Sequence, residues 1–220
     1  MPPPTRPAAI IFDLDGTLVD TVDARIDAWA GVFAEYGISA SRKQLEPLIG
    51  MDGRRLATEV AAATGIALDE AQAEAIDQRA GAAFDERNRD PRPLPGAREA
   101  LAKLDAAGVT WAIATSSRAE QVAASVAALR LAEAPRIVDG SAVAHAKPAP
   151  DLLLLAAGRL AVDLERCWYV GDSTWDMRAS VAAGMLAIGV TSGAAVNADE
   201  LRAAGAQIVL AKLDELGVPD

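Results

Sequence analysis

The chain has 220 residues and a mass of 22.8 kDa, which suits one core domain with a smaller partner domain better than two full domains. Its formal net charge of −10 argues against nucleic acid as a partner, because phosphate backbones are bound by dense Lys and Arg surfaces. The single cysteine, Cys167, and the single histidine, His145, exclude an internal disulfide and metal sites built from several cysteines or histidines.

The location of the protein is predicted from its apolar segments. No apolar run approaches the roughly 18–20 residues that a membrane-spanning helix needs. Residues 1–7 lack the apolar stretch of a signal peptide. We therefore expect a cytoplasmic protein without a membrane partner. Separately, we expect a monomer or homodimer.

Short apolar runs rich in branched side chains predict six strands. They cover residues 8–12, 109–114, 136–138, 167–170, 186–190 and 207–210. Helical patterns separate most of these runs, and the crossover between parallel strands needs a helix of that length. The predicted fold is α/β, a Rossmann-like open parallel sheet with helices on both faces.

Residues 20–92 interrupt this alternation, because helical patterns follow one another there and no strand is predicted. The first of these helices has an apolar face made by Val22, Ile26, Trp29, Ala30 and Phe33. A proline-rich turn at residues 91–96 closes the stretch. We expect an all-helical cap domain at residues 20–92, inserted into a core domain made of residues 1–19 and 93–220.

Polar residues follow four of the predicted strands, where ligands bind in open α/β sheets. They are Asp13 and Asp15 after the first strand, Thr115 after the second, Lys147 at a short distance from the third, and Asp172 after the fourth. Clustered carboxylates repel one another unless a hard cation joins them, and oxygen-only ligation suits Mg²⁺. The lysine and the hydroxyl offer donors for an anion beside the metal. This combination indicates phosphoryl transfer, in which one carboxylate attacks phosphorus and another serves as acid and then as base.

Four segments resemble the motifs of the haloacid-dehalogenase-like (HAD) hydrolase superfamily. In chain order they are IIFDLDGTLVDT at residues 10–21, AIATSS at 112–117, AKPAPD at 146–151 and VGDSTWD at 170–176. They occur in the order of the family and span nearly the whole chain. The insert resembles the helical cap of the phosphoglycolate phosphatase and β-phosphoglucomutase branch.

The resemblance implies a role for each aspartate of these motifs. Asp13 would be the nucleophile and Asp15 the acid and base. Mg²⁺ would be held by the Asp13 carboxylate, the main-chain carbonyl of Asp15 and Asp172. Asp176 would act from behind these ligands through water, helping to hold the motif lysine or the metal.

The resemblance also implies which residues bind the substrate, a small phosphorylated metabolite such as phosphoglycolate or a sugar phosphate. Thr115, Ser116 and Lys147 would bind the transferring phosphoryl group. Arg54, between two cap helices, is a candidate for reading a carboxylate or second phosphate, as is its neighbour Arg55. In this branch the cap closes over the site, excludes bulk water and contributes selectivity.

Three other residues with reactive or large side chains are expected to lie outside the chemistry. His145 is predicted to be an ordinary loop histidine. Cys167, at the start of an apolar strand, is predicted to be a buried small hydrophobe and not a reactive thiol. Trp175 is predicted to pack beneath the fourth motif.

The predicted function is that of a Mg²⁺-dependent phosphatase acting on a small phosphate monoester through an aspartyl-phosphate intermediate. A phosphomutase of the β-phosphoglucomutase type is the alternative, although that branch typically has valine at the position of Thr17 and a histidine at the position of Arg25. Dehalogenases lack the second aspartate of the first motif, so Asp15 counts against that reaction. A non-catalytic binding protein is disfavoured because every expected catalytic position is filled.

Overall fold

The strands of the structure, a computed structural model that describes residues 6–217, agree with the sequence pattern. They are β1 (Ala9–Phe12), β2 (Val19–Asp20), β3 (Arg92–Pro93), β4 (Thr110–Ala114), β5 (Ile137–Val138), β6 (Cys167–Gly171), β7 (Leu186–Val190) and β8 (Ile208–Leu210). Within the described residues, six of them form one parallel sheet in the order β5-β4-β1-β6-β7-β8. All six predicted strands occur, each within one residue of its predicted bounds.

The helices fall into two groups along the chain. Those between β2 and β3 are α1 (Val22–Glu35), α2 (Arg42–Leu45), α3 (Gly53–Ala63) and α4 (Glu70–Arg87). Those that alternate with the later strands are α5 (Ala97–Ala106), α6 (Ala119–Leu129), α7 (Asp151–Leu160), α8 (Thr174–Ala183) and α9 (Ala198–Ala203).

Both faces of the parallel sheet are covered by helices, as β1 illustrates. All four of its residues are buried. Ile10 and Phe12 pack on one face with α5 and α6, whereas Ala9 and Ile11 pack on the other with α7 and α8. Successive side chains of a strand point to opposite faces, so an uninterrupted apolar run is what a doubly covered strand requires. The predicted Rossmann-like fold class is confirmed.

Helices α1 to α4 form a helical block, residues 22–87, with a hydrophobic cluster of their own. The rings of Trp29 and Phe33 stack within it at a centroid distance of 5.4 Å. Trp175, at the start of α8, also belongs to this cluster. Among the buried side chains of residues 6–217, it is the member of the cluster that lies outside the helical block. The block therefore rests on the sheet near the fourth sequence motif.

The chain enters and leaves the helical block through the antiparallel pair of β2 and β3. No strand is predicted beside the domain boundaries, so this pair differs from the expectation. Each strand has two residues, which is too short for an alternating pattern to appear in the sequence. The division into a core of residues 1–19 and 93–220 and a cap of residues 20–92 stays a prediction.

Among the helices of residues 6–217, none combines the length and the hydropathy required to cross a membrane. Residues 1–5, which carry most of the segment compared with a signal peptide, lie outside the described residues, as do residues 218–220.

Candidate active site

The carboxyl ends of three adjacent strands bring the predicted site residues to one edge of the sheet. Phe12 of β1 is in register with Ile113 of β4 on one side and with Val170 of β6 on the other. Asp13, Thr115 and Asp172 follow these strands and are all buried. Lys147 reaches the same place from the loop after β5, with only 1% of its side chain exposed.

The turn after β1 is shaped by Gly16, which has a φ of +78°. This left-handed conformation favours glycine, and a Cβ at this position would also overlap the carboxylate of Asp172. The next residue, Thr17, donates a hydrogen bond of 2.8 Å to Asp172 Oδ1. The first motif thus turns tightly enough to pack against the fourth.

Lys147 lies between two buried carboxylates. Its Nζ is 2.5 Å from Asp13 Oδ1 and 2.7 Å from Asp176 Oδ1. Burial alone would lower the pKa of Lys147, but the two carboxylates outweigh it and raise this pKa above its ordinary value. Asp176 is fixed in turn by the main-chain N–H and hydroxyl of Ser173, at 3.0 and 2.6 Å, and by the hydroxyl of Tyr169 at 3.0 Å. The lysine is therefore a positioned, charged donor.

Three buried carboxylates form a cluster that could hold a metal ion. Oxygen atoms of Asp13, Asp172 and Asp176 all lie within 4.8 Å of one another. Burial raises the pKa of the Asp13 carboxyl to about 7 despite the neighbouring ammonium. Burial, together with Asp176 and Asp13, raises the pKa of the Asp172 carboxyl well above its usual range. Three carboxyl groups share a single ammonium in this cluster, so a hard divalent cation such as Mg²⁺ would favour their ionised forms, and the all-oxygen donor set fits such a cation.

The carboxylate of Asp15 points to a different set of partners. Arg25 Nη2 lies 2.9 Å from its Oδ2, Thr21 donates to its Oδ1 at 2.7 Å, and the hydroxyl of Ser117 donates to its Oδ2. Burial would raise the pKa of Asp15, but Arg25 and these hydrogen bonds lower it below its ordinary value. Arg25 belongs to α1 and lies over the ring of Phe84, 3.5 Å from its centroid. The helical block thus supplies the cation that holds this aspartate ionised.

The second motif places three consecutive hydroxyls in different roles. Thr115 Oγ1 accepts from the N–H of Ser117 at 3.1 Å, which leaves its hydroxyl hydrogen able to donate to an anion. Ser116, which is predicted to bind substrate, lines the same cavity as Asp13 and Thr115, and its Oγ donates to the carbonyl of Gly50 in the helical block at 3.2 Å. Ser117, not Ser116, is the serine that contacts Asp15.

Three residues that contact the candidate catalytic side chains are not among the site residues predicted from the sequence. Arg25 interrupts the apolar face of α1, three residues after Val22 and four before Trp29, and a charge in that position was a usable signal. Ser117 could have been found because it lies two residues after Thr115 at a strand end. Tyr169 carried no signal, since its strand is buried on both faces.

A cavity of about 410 Å³ separates the sheet edge from the helical block. The catalytic candidates form its floor and apolar side chains of the block form part of its wall. Arg54 lines this cavity, with its guanidinium 3.3 Å from Asp52 and 3.9 Å from Glu74. Arg55 pairs with Glu59 at 2.7 Å and is not among the lining residues of the described chain. Of the two arginines, Arg54 is the one placed to meet a substrate.

The three residues expected to lie outside the chemistry are not among the residues of the described chain that line the cavity. His145 has 74% of its side chain exposed and pairs with Asp151 at 3.0 Å. Cys167 is buried, and burial raises the pKa of its thiol to about 11. Trp175 packs against the helical block and its indole N–H donates to the carbonyl of Pro47 at 2.9 Å.

Comparison with known sequences decides the family. The sequence pattern of haloacid dehalogenase-like hydrolases matches residues 10–190, a range that contains all four motifs. The chain belongs to the haloacid dehalogenase-like hydrolase family. The predicted assignment to this superfamily, and to hydrolase enzymes within it, is confirmed.

Curated relatives of this HAD-like hydrolase include several phosphatases. The chain is 33% identical over 212 residues to the probable phosphatase IndB of Dickeya dadantii, covering 94% of this chain and 90% of that protein. It is 31% identical over 194 residues to the N-acetylmuramic acid 6-phosphate phosphatase of Pseudomonas aeruginosa, with 86% and 83% covered. It is 28% identical over 217 residues to a phosphoglycolate phosphatase of Xanthomonas campestris, with 97% and 96% covered.

A solved structure supports the same fold. The crystal structure of a hydrolase from Pseudomonas syringae superposes on this HAD-like hydrolase with a TM-score of 0.89 at 32% sequence identity. The match covers 94% of this chain and 95% of the other. The arrangement of sheet and helical block is therefore shared along almost the full length.

Proposed function

We propose that the protein is a Mg²⁺-dependent phosphatase that hydrolyses a small phosphate monoester through an aspartyl phosphate on Asp13. The observation that supports this most directly is the position of Asp13 on the cavity floor, held by Lys147 and flanked by Asp15 and Thr115. The phosphatase names of the relatives agree with it.

In the first step, a carboxylate oxygen of Asp13 attacks phosphorus and the bond from phosphorus to the leaving oxygen breaks. Lys147 and Thr115 hold the phosphoryl oxygens with charged and neutral hydrogen bonds. Asp15 gives its proton to the departing alcohol. Asp13 and Asp172, with the main-chain carbonyl of Asp15, would hold Mg²⁺, which offsets the charge of carboxylates and phosphate when bound. Asp176 positions Lys147.

In the second step, water attacks the phosphorus of the aspartyl phosphate and the bond to Asp13 breaks, releasing inorganic phosphate. Asp15 takes the proton from this water. It is then protonated again and can act as the acid in the next turnover. Held by Arg25, Asp15 is in the ionised form that this second step needs. A phosphate dianion beside it raises its pKa by like-charge repulsion and favours the protonated form needed for the first step.

The helical block is proposed to be a cap domain, residues 20–92, that limits access of bulk water and contacts the part of the substrate remote from phosphorus. Gly50, Arg54 and the walls of the cavity belong to this block. Exclusion of water strengthens the electrostatic contacts within the site. We propose a cytoplasmic location and a monomer or homodimer.

The experiment that tests this function is phosphate release from 4-nitrophenyl phosphate and a panel of metabolite phosphates, with Mg²⁺ and with EDTA. We expect release that requires Mg²⁺ and is abolished in Asp13→Asn, whose circular dichroism stays native. Asp199→Asn changes an exposed aspartate of α9 in the same way and is the matched control. Substantial turnover by Asp13→Asn, or release that persists after thorough chelation, would contradict the mechanism.

Two positions, Thr17 and Arg25, distinguish the phosphatase from the phosphomutase alternative, and their contacts do not favour the phosphomutase. Thr17 donates a hydrogen bond to Asp172. Arg25, at the position where a mutase of this branch has its histidine, donates a hydrogen bond to Asp15. His145 is exposed. Conversion of β-glucose 1-phosphate to the 6-phosphate without phosphate release would nevertheless identify a mutase. The retained Asp15 carboxylate likewise argues against dehalogenation.

A further inference from the structure

Five charged side chains that line the cavity, four of them from the helical block and none in contact with Asp13 or Lys147 among the ion pairs of the described residues, form what we call the distal cluster: Asp52, Arg54, Glu74, Asp77 and Arg118. Arg118 Nη2 lies 2.9 Å from Glu74 Oε1 and 2.6 Å from Asp77 Oδ2. Arg54 pairs with Asp52 at 3.3 Å and approaches Glu74 at 3.9 Å. Three carboxylates therefore face two guanidinium groups.

The distal cluster is built by packing between the helical block and the sheet-bearing part of the chain. Glu74 and Asp77 lie three residues apart on one face of α4, and Arg118 caps the start of α6 directly after Ser117. Gly53 begins α3 against the carboxylate of Asp77, where a Cβ would overlap that carboxylate. Asp77 is thus held at the cavity by close packing against the backbone of Gly53.

This pairing decides which remote groups the cavity accepts. A carboxylate or second phosphate on the substrate would add negative charge beside three carboxylates, whose charge already exceeds that of the two guanidinium groups paired with them. A hydroxyl group, in contrast, accepts from a guanidinium and donates to a carboxylate at the same time. The existing ion pairs stay intact when a hydroxyl binds, so hydroxyls are the favoured ligands of this cluster.

The size and wall of the cavity fit a body larger than a two-carbon acid. Its volume of about 410 Å³ lies in the range of small-molecule sites. Trp29, Met51 and Leu56 add apolar surface to the lining of the same cavity. A polyol chain or sugar offers both hydroxyls and C–H surface, which matches this mixed lining.

We infer that the distal cluster selects phosphate monoesters whose remote part is an uncharged polyol or sugar, and discriminates against those with a remote carboxylate or second phosphate. The inference rests on the proposed phosphatase function and narrows its substrate class. Phosphoglycolate, which offers this cluster a carboxylate and no hydroxyl group, is thereby not a favoured substrate.

The test compares kcat/KM within matched pairs that differ only in a terminal CH₂OH or carboxylate. The pairs are 2-hydroxyethyl phosphate and phosphoglycolate, glycerol 3-phosphate and 3-phosphoglycerate, and glucitol 6-phosphate and 6-phosphogluconate. We expect the uncharged member to be preferred by about tenfold or more in the longest pair, whose end group reaches furthest from phosphorus. Equal values within about twofold, or a preference for the acids, would overturn the inference.

A charge-neutralising variant tests the cause. In Glu74→Gln/Asp77→Asn the guanidinium of Arg118 loses its partners, so the preference for glucitol 6-phosphate over 6-phosphogluconate should fall about tenfold or reverse. Glu59→Gln, on the outer face of α3, should leave this ratio unchanged. An unchanged ratio in the folded double variant, or in Glu74→Gln alone if the double variant does not fold, would overturn the inference.

The two proposals fail in different ways. Hydrolysis of 4-nitrophenyl phosphate with Mg²⁺, combined with a preference for the acids, would contradict the distal cluster's role and leave the phosphatase function standing. No hydrolysis of any compound would contradict both.

Discussion

The guanidinium of Arg25 and the carboxylate of Asp15 lie 2.9 Å apart, and they belong to different parts of the molecule. Asp15 follows the central strand β1, whereas Arg25 lies on the first helix of the helical block. Arg25 also meets Ser117, at 2.8 Å, so it connects the first and second motifs. The ionisation and the orientation of the proposed acid and base therefore depend on a residue of the block.

Replacing Arg25 should impair turnover more than substrate binding. In Arg25→Ala, Asp15 loses its cationic partner and its fixed orientation, and we expect kcat to fall about 10–100-fold, part of what acid and base catalysis contributes. Arg25→Lys should retain more of kcat than the alanine variant. Steady-state kinetics with Mg²⁺ measure this, with Arg55→Ala as the control from the surface of the same block. A rise in KM with kcat unchanged would instead identify Arg25 as a substrate-binding residue.

Removing the charge of Lys147 should destabilise the fold. Lys147→Met would leave Asp13 and Asp176 buried without their common partner, and breaking a buried ion pair in this way costs roughly 3–5 kcal/mol. Urea unfolding measures the loss, and adding Asp176→Asn to the variant should recover part of it. Lys103→Met, on the exposed side of α5, should cost little. Equal midpoints for the two single lysine variants would contradict this account.

Mg²⁺ should stabilise the folded protein independently of turnover. A cation that binds the native cluster but not the unfolded chain raises the free energy of unfolding, and each 1 kcal/mol shifts Tm by about 2–4 °C in a chain of this size. We expect Tm to rise on adding Mg²⁺ after EDTA treatment, and the rise to be lost in Asp172→Asn but kept in Asp199→Asn. The same rise in Asp172→Asn would show that the cation binds elsewhere.

The fold was predictable because the strands are continuous apolar runs and the site residues follow them directly. Asp13, Thr115 and Asp172 are each the first residue past strands that lie side by side, so local pattern and topology agree on their position. The two-residue strands β2 and β3 were not predictable, since their pairing is set by the entry and exit of the helical block.

The distal part of the site depends on tertiary packing that the sequence does not encode locally. Arg118 meets Glu74 and Asp77 across more than 40 residues of chain, and each alone resembles a solvated charge. Ser116 and Ser117 are equivalent in the sequence pattern, and the turn of the chain after β4 determines their contacts. As a result, Ser117 contacts Asp15 and Ser116 contacts Gly50. These contacts are visible only in the folded structure.

Cys167 should behave as an inert thiol in the native protein. Burial raises its pKa from an ordinary 9.0 to about 11, so at pH 8 the thiolate fraction is about 100-fold smaller than in the unfolded chain. Alkylation by iodoacetamide, followed by mass spectrometry, should be at least that much slower in native protein than in urea. Between pH 9 and pH 11 the unfolded chain ionises while the folded chain stays protonated, so stability falls with rising pH over this range. Cys167→Ala removes this contribution of the thiol to the pH dependence of stability and serves as its control. Equal alkylation rates in native and unfolded protein would contradict the prediction, because they would show that the thiol is accessible and ionised.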